Sequence, residues 1–209
     1  MDNIYYINLD HRKDRKSQVE SELNDMGWKY QRFNAIKMKD GRVGCSMSHL
    51  KLLQMAKEKQ LEYIVIIEDD IQFLRKNWYK KQLEKVMKEH YDSFDVLLLA
   101  GNLRPPIKKV INNAGYEHLY QITKSFTTTG YIVKKHYYDT LIENIKSGIQ
   151  LLMKNPNKHA YYAVDTYWME LQKKDKWFII MPRTITQRPD YSDIEKRLIN
   201  YNHLMVDKF

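Results

Sequence analysis

An α/β domain with a mostly parallel central sheet is predicted by three features of the sequence. Strand-like runs of β-branched and aromatic residues alternate with segments of helical spacing from the start of the chain. The most apolar runs, YIVII and DVLLLA, have the length and composition of buried strands. No Gly/Ser-rich or Pro-rich stretch divides the 209 residues, so they read as a single domain, 1–209.

The elements follow in order. NIYYINL (3–9) is a short strand, and residues 15–26 have helical spacing that ends at Gly27, a residue suited to the left-handed position after a helix. WKYQRFNAI reads as extended. Met47, Leu50, Leu53 and Ala56 recur every three positions, which predicts an amphipathic helix starting near Ser46. YIVIIED follows as a strand, residues 78–90 as a basic amphipathic helix, and FDVLLLAG (94–101) as a second buried strand. Residues 102–126, with Pro105, Pro106 and Gly115, predict short strands or an excursion loop. TTTGYIVK (127–134) reads as a strand interrupted at Gly130, where a glycine marks close backbone approach. Residues 136–150 form a helix, Asp165 caps another that runs to about Lys174, and WFIIM (177–181) is the last strand. The polar, aromatic tail from Pro182, about 182–209, is expected to pack over the domain.

Charge and cysteine content narrow the function. Lys plus Arg number 35 against 26 Asp plus Glu, a net +9 that favours an anionic partner: nucleic acid, anionic lipid or a diphosphate-bearing small molecule. A solvated basic surface would give the same sign. One cysteine, Cys45, excludes an internal disulfide. The N-terminus MDNIYYINLDHRKDR contains acids and lacks an apolar leader, and no window approaches the ~18 apolar residues of a membrane span. The expectation is a soluble, cytoplasmic protein.

Against that basic background, Glu68, Asp69 and Asp70 end the most hydrophobic run of the chain. Acids at a sheet edge must be solvated, paired or bound to a cation. In open α/β sheets ligands bind at the carboxyl ends of the strands, and carboxylates there suit hard cations that keep positions free for phosphates. Asn8, Arg12 and Arg15 follow the first strand in INLDHRKDR. In VGCSMSHLKLL, Gly44, Cys45 and Ser46 are expected at a helix N-terminus able to hold an anion, with His49 in the first turn. Each segment also has an ordinary structural explanation: a solvated helix face, a cap, a hydrogen-bonded buried histidine.

Taken together, INLDHRKDR, VGCSMSHLKLL, IVIIEDDIQF, TTGYIVKKHYY, AVDTYW and QRPDYSDIE resemble, in the same order, the motifs of glycosyltransferase family 25, the lipopolysaccharide-biosynthesis and procollagen galactosyltransferase group. The resemblance runs from about residue 3 to about 197. It implies a GT-A-type, Rossmann-like domain that moves a hexose from a UDP-sugar to a hydroxyl acceptor (a glycan, a lipopolysaccharide-type acceptor or hydroxylysine), with inversion. It also implies Mn²⁺ (or Mg²⁺) as cofactor, held by Glu68 and Asp70. Asn8, Arg12, Arg15, Ser46, His49, Gly130, Tyr131 and Gln187 match substrate-binding segments, and Asp165 the acid facing the acceptor, the candidate base. Lys13 stands where the family often has proline, and Thr166 where it often has an acid. A lipid-linked acceptor would add peripheral membrane contact. A two-metal nuclease would need more clustered acids than this chain supplies. A nucleic-acid-binding module would need aromatics outside the apolar patterns that hold most of these.

Overall fold

The computed structural model describes residues 1–109 and 118–207. The strands are β1 (Ile4–Asn8), β2 (Tyr30–Asn34), β3 (Tyr63–Glu68), β4 (Ile71–Phe73), β5 (Val96–Leu98), β6 (Asn102–Leu103), β7 (Ile107–Lys109), β8 (Leu119–Ile122), β9 (Ser125–Phe126), β10 (Gly130–Lys134), β11 (Trp177–Ile180), β12 (Ile185–Gln187), β13 (Asp190–Ser192) and β14 (Arg197–Ile199). The helices are α1 (Lys13–Asp25), α2 (Gly41–Glu58), α3 (Lys76–Glu89), α4 (Tyr138–Lys154), α5 (His159–Tyr162), α6 (Val164–Tyr167), α7 (Met169–Lys174) and α8 (Asn202–Met205).

Among the described residues, eight strands form the main sheet in the order β2-β1-β3-β10-β5-β11-β8-β7. Six point the same way, as expected of a mostly parallel sheet. The two that oppose them, β10 and β8, lie inside it and make its ladders mixed. Successive side chains of a strand face opposite sides, and here the alternation sorts two cores. Tyr5, Ile7, Ile64 and Ile66 pack with Leu52, Leu53 and Ala56 of α2 and Leu141 and Ile145 of α4. Ile4, Tyr6, Val65 and Ile67 pack with Val19 and Leu23 of α1 and Leu83 and Val86 of α3. The sheet is therefore covered on both faces, which is why its strands read as apolar runs.

The segment after β11 is anchored at β12, which pairs antiparallel with β4, matching Gln187 to Ile71, and Ile185 and Met205 are fully buried. Residues 110–117 of the excursion and 208–209 of the tail lie outside the described residues.

Two expectations are corrected. The helix expected near Ser46 begins at Gly41, because the Asp40 side chain accepts the Arg42 amide at 2.9 Å and serves as the cap. Gly44, Cys45 and Ser46 therefore lie about one turn inside α2 and form no anion-binding terminus. Gly44 is small for a different reason: a Cβ there would stand 2.4 Å from the Ile36 carbonyl oxygen, so the residue lets α2 approach that segment. The second correction concerns Asp165. Ala163 occupies the cap position of α6, with Asp165 in the first turn, and a break at Trp168 separates α6 from α7. The Asp165 side chain is free of capping and used elsewhere.

Candidate active site

The parallel pair β1 and β3, in register at Ile7 and Glu68, brings Asn8 and Glu68 to one carboxyl edge of the sheet. Antiparallel β10 starts at the same edge, and the Glu68 amide donates to the Thr129 carbonyl at 2.9 Å. Three groups meet Glu68 Oε1: the Thr128 hydroxyl at 2.7 Å, His49 Nε2 at 3.3 Å and the Cys45 thiol at 3.6 Å. Burial pushes the Glu68 carboxyl up, but His49 and Thr128 outweigh it and hold the group below its ordinary value.

Its neighbours divide into an anchor and an open ligand. Asp69 accepts from Asn8 Nδ2 at 2.7 Å and from Arg15 at 3.1 Å, which pins the turn after β3 to β1 and α1. Asp70 takes Gln187 Nε2 at 3.3 Å and the Arg15 guanidinium at 3.5 Å, both on Oδ2, while its buried Oδ1 has no hydrogen-bond partner. Its backbone carbonyl accepts the Arg188 amide at 2.6 Å. Burial, and then the charges of Glu68 and Asp69 against the opposing Arg15, push the Asp70 carboxyl up to about 8. A buried oxygen without a partner is costly, and two carboxylates offering oxygen donors fit a hard divalent cation.

Asp165 reaches this edge from α6. Its Oδ2 accepts the Thr127 amide at 3.1 Å, and Thr127 holds a left-handed φ of 74° to present it. Thr127 and Thr128 thus bridge the two acids, one through its amide and the other through its hydroxyl. Burial pushes the Asp165 carboxyl up; the Thr127 bond opposes this, and the charge of Glu68 adds to it.

Comparison with known proteins identifies the family. The sequence profile of glycosyltransferase family 25 (LPS biosynthesis protein) matches residues 37–168, more than half of the chain. The chain belongs to glycosyltransferase family 25. It is 22% identical over 164 residues to a glycosyltransferase 25 family member of Drosophila melanogaster, covering 64% of this chain and 26% of that protein. It is 24% identical over 241 aligned positions to human procollagen galactosyltransferase 2, covering 95% of this chain and 38% of that protein. The chain thus spans well under half the length of these two relatives. Similar solved structures include a glycosyltransferase involved in glycosylation of the major capsid of PBCV-1, at 13% identity, covering 86% of this chain and 91% of that one, with a TM-score of 0.45. Another is a variant Drosophila galactosyltransferase crystallised with manganese, UDP-Gal and xylobiose, at 12% identity, covering 96% of this chain and 71% of that one, with a TM-score of 0.46.

In this family 25 chain the residues singled out from the sequence occupy three kinds of position. Glu68, Asp70, Asp165 and Gln187 gather at the edge described above. His49 and Tyr131 are wholly buried, the Tyr131 hydroxyl 2.8 Å from His49 Nδ1, so they stand behind the site and not in its wall. Ser46 is also buried and donates to the Arg42 carbonyl at 2.9 Å. At Gly130 a Cβ would stand 3.2 Å from both Ile71 and Leu99, so close packing explains the glycine. Arg12 and Arg15 grip the tail: Arg12 meets Asp190 at 2.5 Å and Asp193 at 2.6 Å, and Arg15 meets Asp190 at 3.2 Å and the Tyr191 carbonyl at 2.9 Å. Sequence reasoning missed Thr127, Thr128, Asp190 and Asp193. Their signals were the run of three threonines before Gly130 and the acids of PDYSD facing a basic HRKDR segment.

Proposed function

We propose that the chain is a metal-dependent hexosyltransferase domain that moves a hexose from a UDP-sugar to a hydroxyl acceptor with inversion, using Mn²⁺ or Mg²⁺ at Glu68 and Asp70. The observation that carries this reading is the unpartnered, buried Asp70 Oδ1 beside Glu68 at the carboxyl edge of the sheet. Family membership supports the chemistry, and the family description and the human relative's name suggest a lipopolysaccharide-type or procollagen acceptor. A metal bound there supplies the counter-charge for the donor diphosphate.

The remaining steps fall to the chain's own residues. Asn8 and Arg15 fix Asp69 and so hold the turn that presents Asp70. Arg15, engaged by Asp69, Asp190 and the Tyr191 carbonyl and 3.5 Å from Asp70, contributes to donor binding by holding these groups rather than to bond making. Asp165 takes the proton of the acceptor hydroxyl, and burial, which raises its carboxyl's affinity for a proton, makes it a stronger base. Inversion follows from one displacement in which base and leaving diphosphate lie on opposite faces of the sugar. Among the described residues no helix is long and apolar enough to cross a membrane, so a lipid-linked acceptor would be met at a membrane surface.

A panel of nucleotide sugars, with and without Mn²⁺, tests the reading by thermal shift and by hydrolysis of the donor. A UDP-hexose present at a hundred times its Kd should stabilise the protein by about 2.7 kcal/mol, and only with metal. No stabilisation by any nucleotide sugar in either condition would reject it.

A further inference from the structure

Cys45, His49 and Glu68 form a group that the donor site does not fully use. Cys45 and His49 are four residues apart on α2, so both point from one helix face. That face lies against the end of β3, where Glu68 Oε1 is 3.6 Å from Cys45 Sγ and 3.3 Å from His49 Nε2, and all three atoms lie within 4.8 Å of one another. Zinc bonds to sulfur, nitrogen and oxygen at about 2.3, 2.0 and 2.0 Å, which gives tetrahedral edges of about 3.3 Å for N···O and about 3.5 Å for S···O. The N···O and S···O separations therefore match two edges of a tetrahedral zinc site.

The surroundings agree. Neutral imidazole bound through Nε2 has its proton on Nδ1, and here Nδ1 faces the Tyr131 hydroxyl at 2.8 Å, the outer partner that fixes such a ligand. Thr128 donates to Glu68 at 2.7 Å and holds that carboxylate in turn. Cys45 and Glu68 are partly exposed, so solvent reaches two of the three groups. Sulfur and imidazole select zinc over manganese and magnesium, which prefer oxygen.

We propose that Cys45, His49 and Glu68 bind a thiophilic divalent ion, zinc, at a second site that shares Glu68 with the donor site, so that zinc and the transfer reaction compete. The sharing rests on the role given to Glu68 above; the zinc site itself does not. Binding displaces the Cys45 proton to solvent and makes one S–Zn bond, with no change of oxidation state. The bound ion draws Glu68 towards α2 and away from Asp70.

Cobalt titration of the metal-free full chain reads binding without reference to activity. One equivalent of Co²⁺ should give thiolate-to-cobalt charge transfer and the intense visible bands of tetrahedral cobalt, both bleached by one equivalent of Zn²⁺. Cys45 is the chain's single cysteine, so Cys45→Ser should remove the charge-transfer band, with folding checked by near-ultraviolet circular dichroism. The absence of that band in the wild type, or tetrahedral bands of equal intensity in Cys45→Ser, would overturn the site. In the second arm, equimolar zinc should depress Mn²⁺-dependent donor hydrolysis, and Cys45→Ser should be at least about tenfold less sensitive. Stoichiometric zinc binding with undiminished turnover would overturn the competition. A protein that binds cobalt through Cys45 yet hydrolyses no nucleotide sugar would instead count against the transferase reading alone.

Discussion

Two groups of carboxylates lie within reach of Arg15, and the chain treats them in opposite ways. In the tail, Asp190 meets Arg12 at 2.5 Å and Arg15 at 3.2 Å, and Asp193 meets Arg12 at 2.6 Å. Burial opposes ionisation of Asp190, but the Tyr191 amide and both arginines hold it below its ordinary value. At the end of β3, Asp70 has a single arginine 3.5 Å away, two acidic neighbours and one oxygen without a partner, and it is pushed up to about 8. The first group is matched within the fold and locks the tail down. The second is left short of positive charge, which is the condition under which a cation gains most by binding.

Asp70→Asn breaks the comparison most severely. Metal-dependent turnover should be lost, while the metal-free variant folds and gains stability relative to wild type as pH rises. The sign follows from linkage: an aspartate titrates near pH 4 in the unfolded chain and near 8 here, so the folded state holds the proton more tightly. The stabilisation is complete below about pH 4 and is lost as pH climbs through 8. The gap in Tm between variant and wild type should widen over that window, and Mn²⁺ should close it by stabilising only the wild type. A gap that stays constant from pH 4 to 8 would show that Asp70 is compensated after all.

Asp165→Asn comes next. The amide oxygen can still accept the Thr127 N–H, so Tm should hold, while kcat falls about a thousandfold, or about 4 kcal/mol. Donor KM should change little. A kcat within a few-fold of wild type in a folded variant would remove Asp165 from the chemistry.

Arg15→Ala tests the shared cation. It strips Asp69, Asp70 and Asp190 of a buried partner, and urea unfolding should report a loss of about 3 kcal/mol. Arg12 is as buried as Arg15, but its partners Asp14, Asp190 and Asp193 are more exposed than Asp69 and Asp70, so Arg12→Ala should cost about 1 kcal/mol. Equal losses would mean that the two groups of acids are held alike. A loss as small as that of Arg12→Ala is expected of Thr128→Val, which removes the hydrogen bond to Glu68 and should cost about 1 kcal/mol, read as a severalfold weaker Mn²⁺ isotherm.

Much of this layout was legible in the sequence because it is local. The apolar run into Glu68 marks a strand end, and a strand end in an α/β sheet marks a ligand edge. Gly27, which takes a φ of 66° after α1, was legible from the same kind of short-range rule. The illegible parts depend on pairs far apart in the chain. Nothing in INLDHRKDR says that its arginines meet Asp190, 175 residues beyond Arg15. Nothing in AVDTYW says that Asp165 will accept an amide from Thr127 and not cap its own helix. The start of α2 was misplaced because Asp40 and Gly41, a good cap and a poor helix former, hid a boundary that Ser46 mimicked.

The pairing of β12 with β4 also has a consequence for biosynthesis. The carbonyl of Asp70 is held by the amide of Arg188, and its carboxylate by Gln187, 117 positions later. A ribosome that has delivered β1, β3 and most of the sheet has therefore produced a fold whose acidic edge is still unfastened. At about 5 to 20 residues per second the interval before the fastening segment emerges is several seconds. During it the nascent domain can collapse around both cores while its acidic turn remains unset, so donor binding should switch on abruptly as β12 docks, after the bulk of this fold is in place.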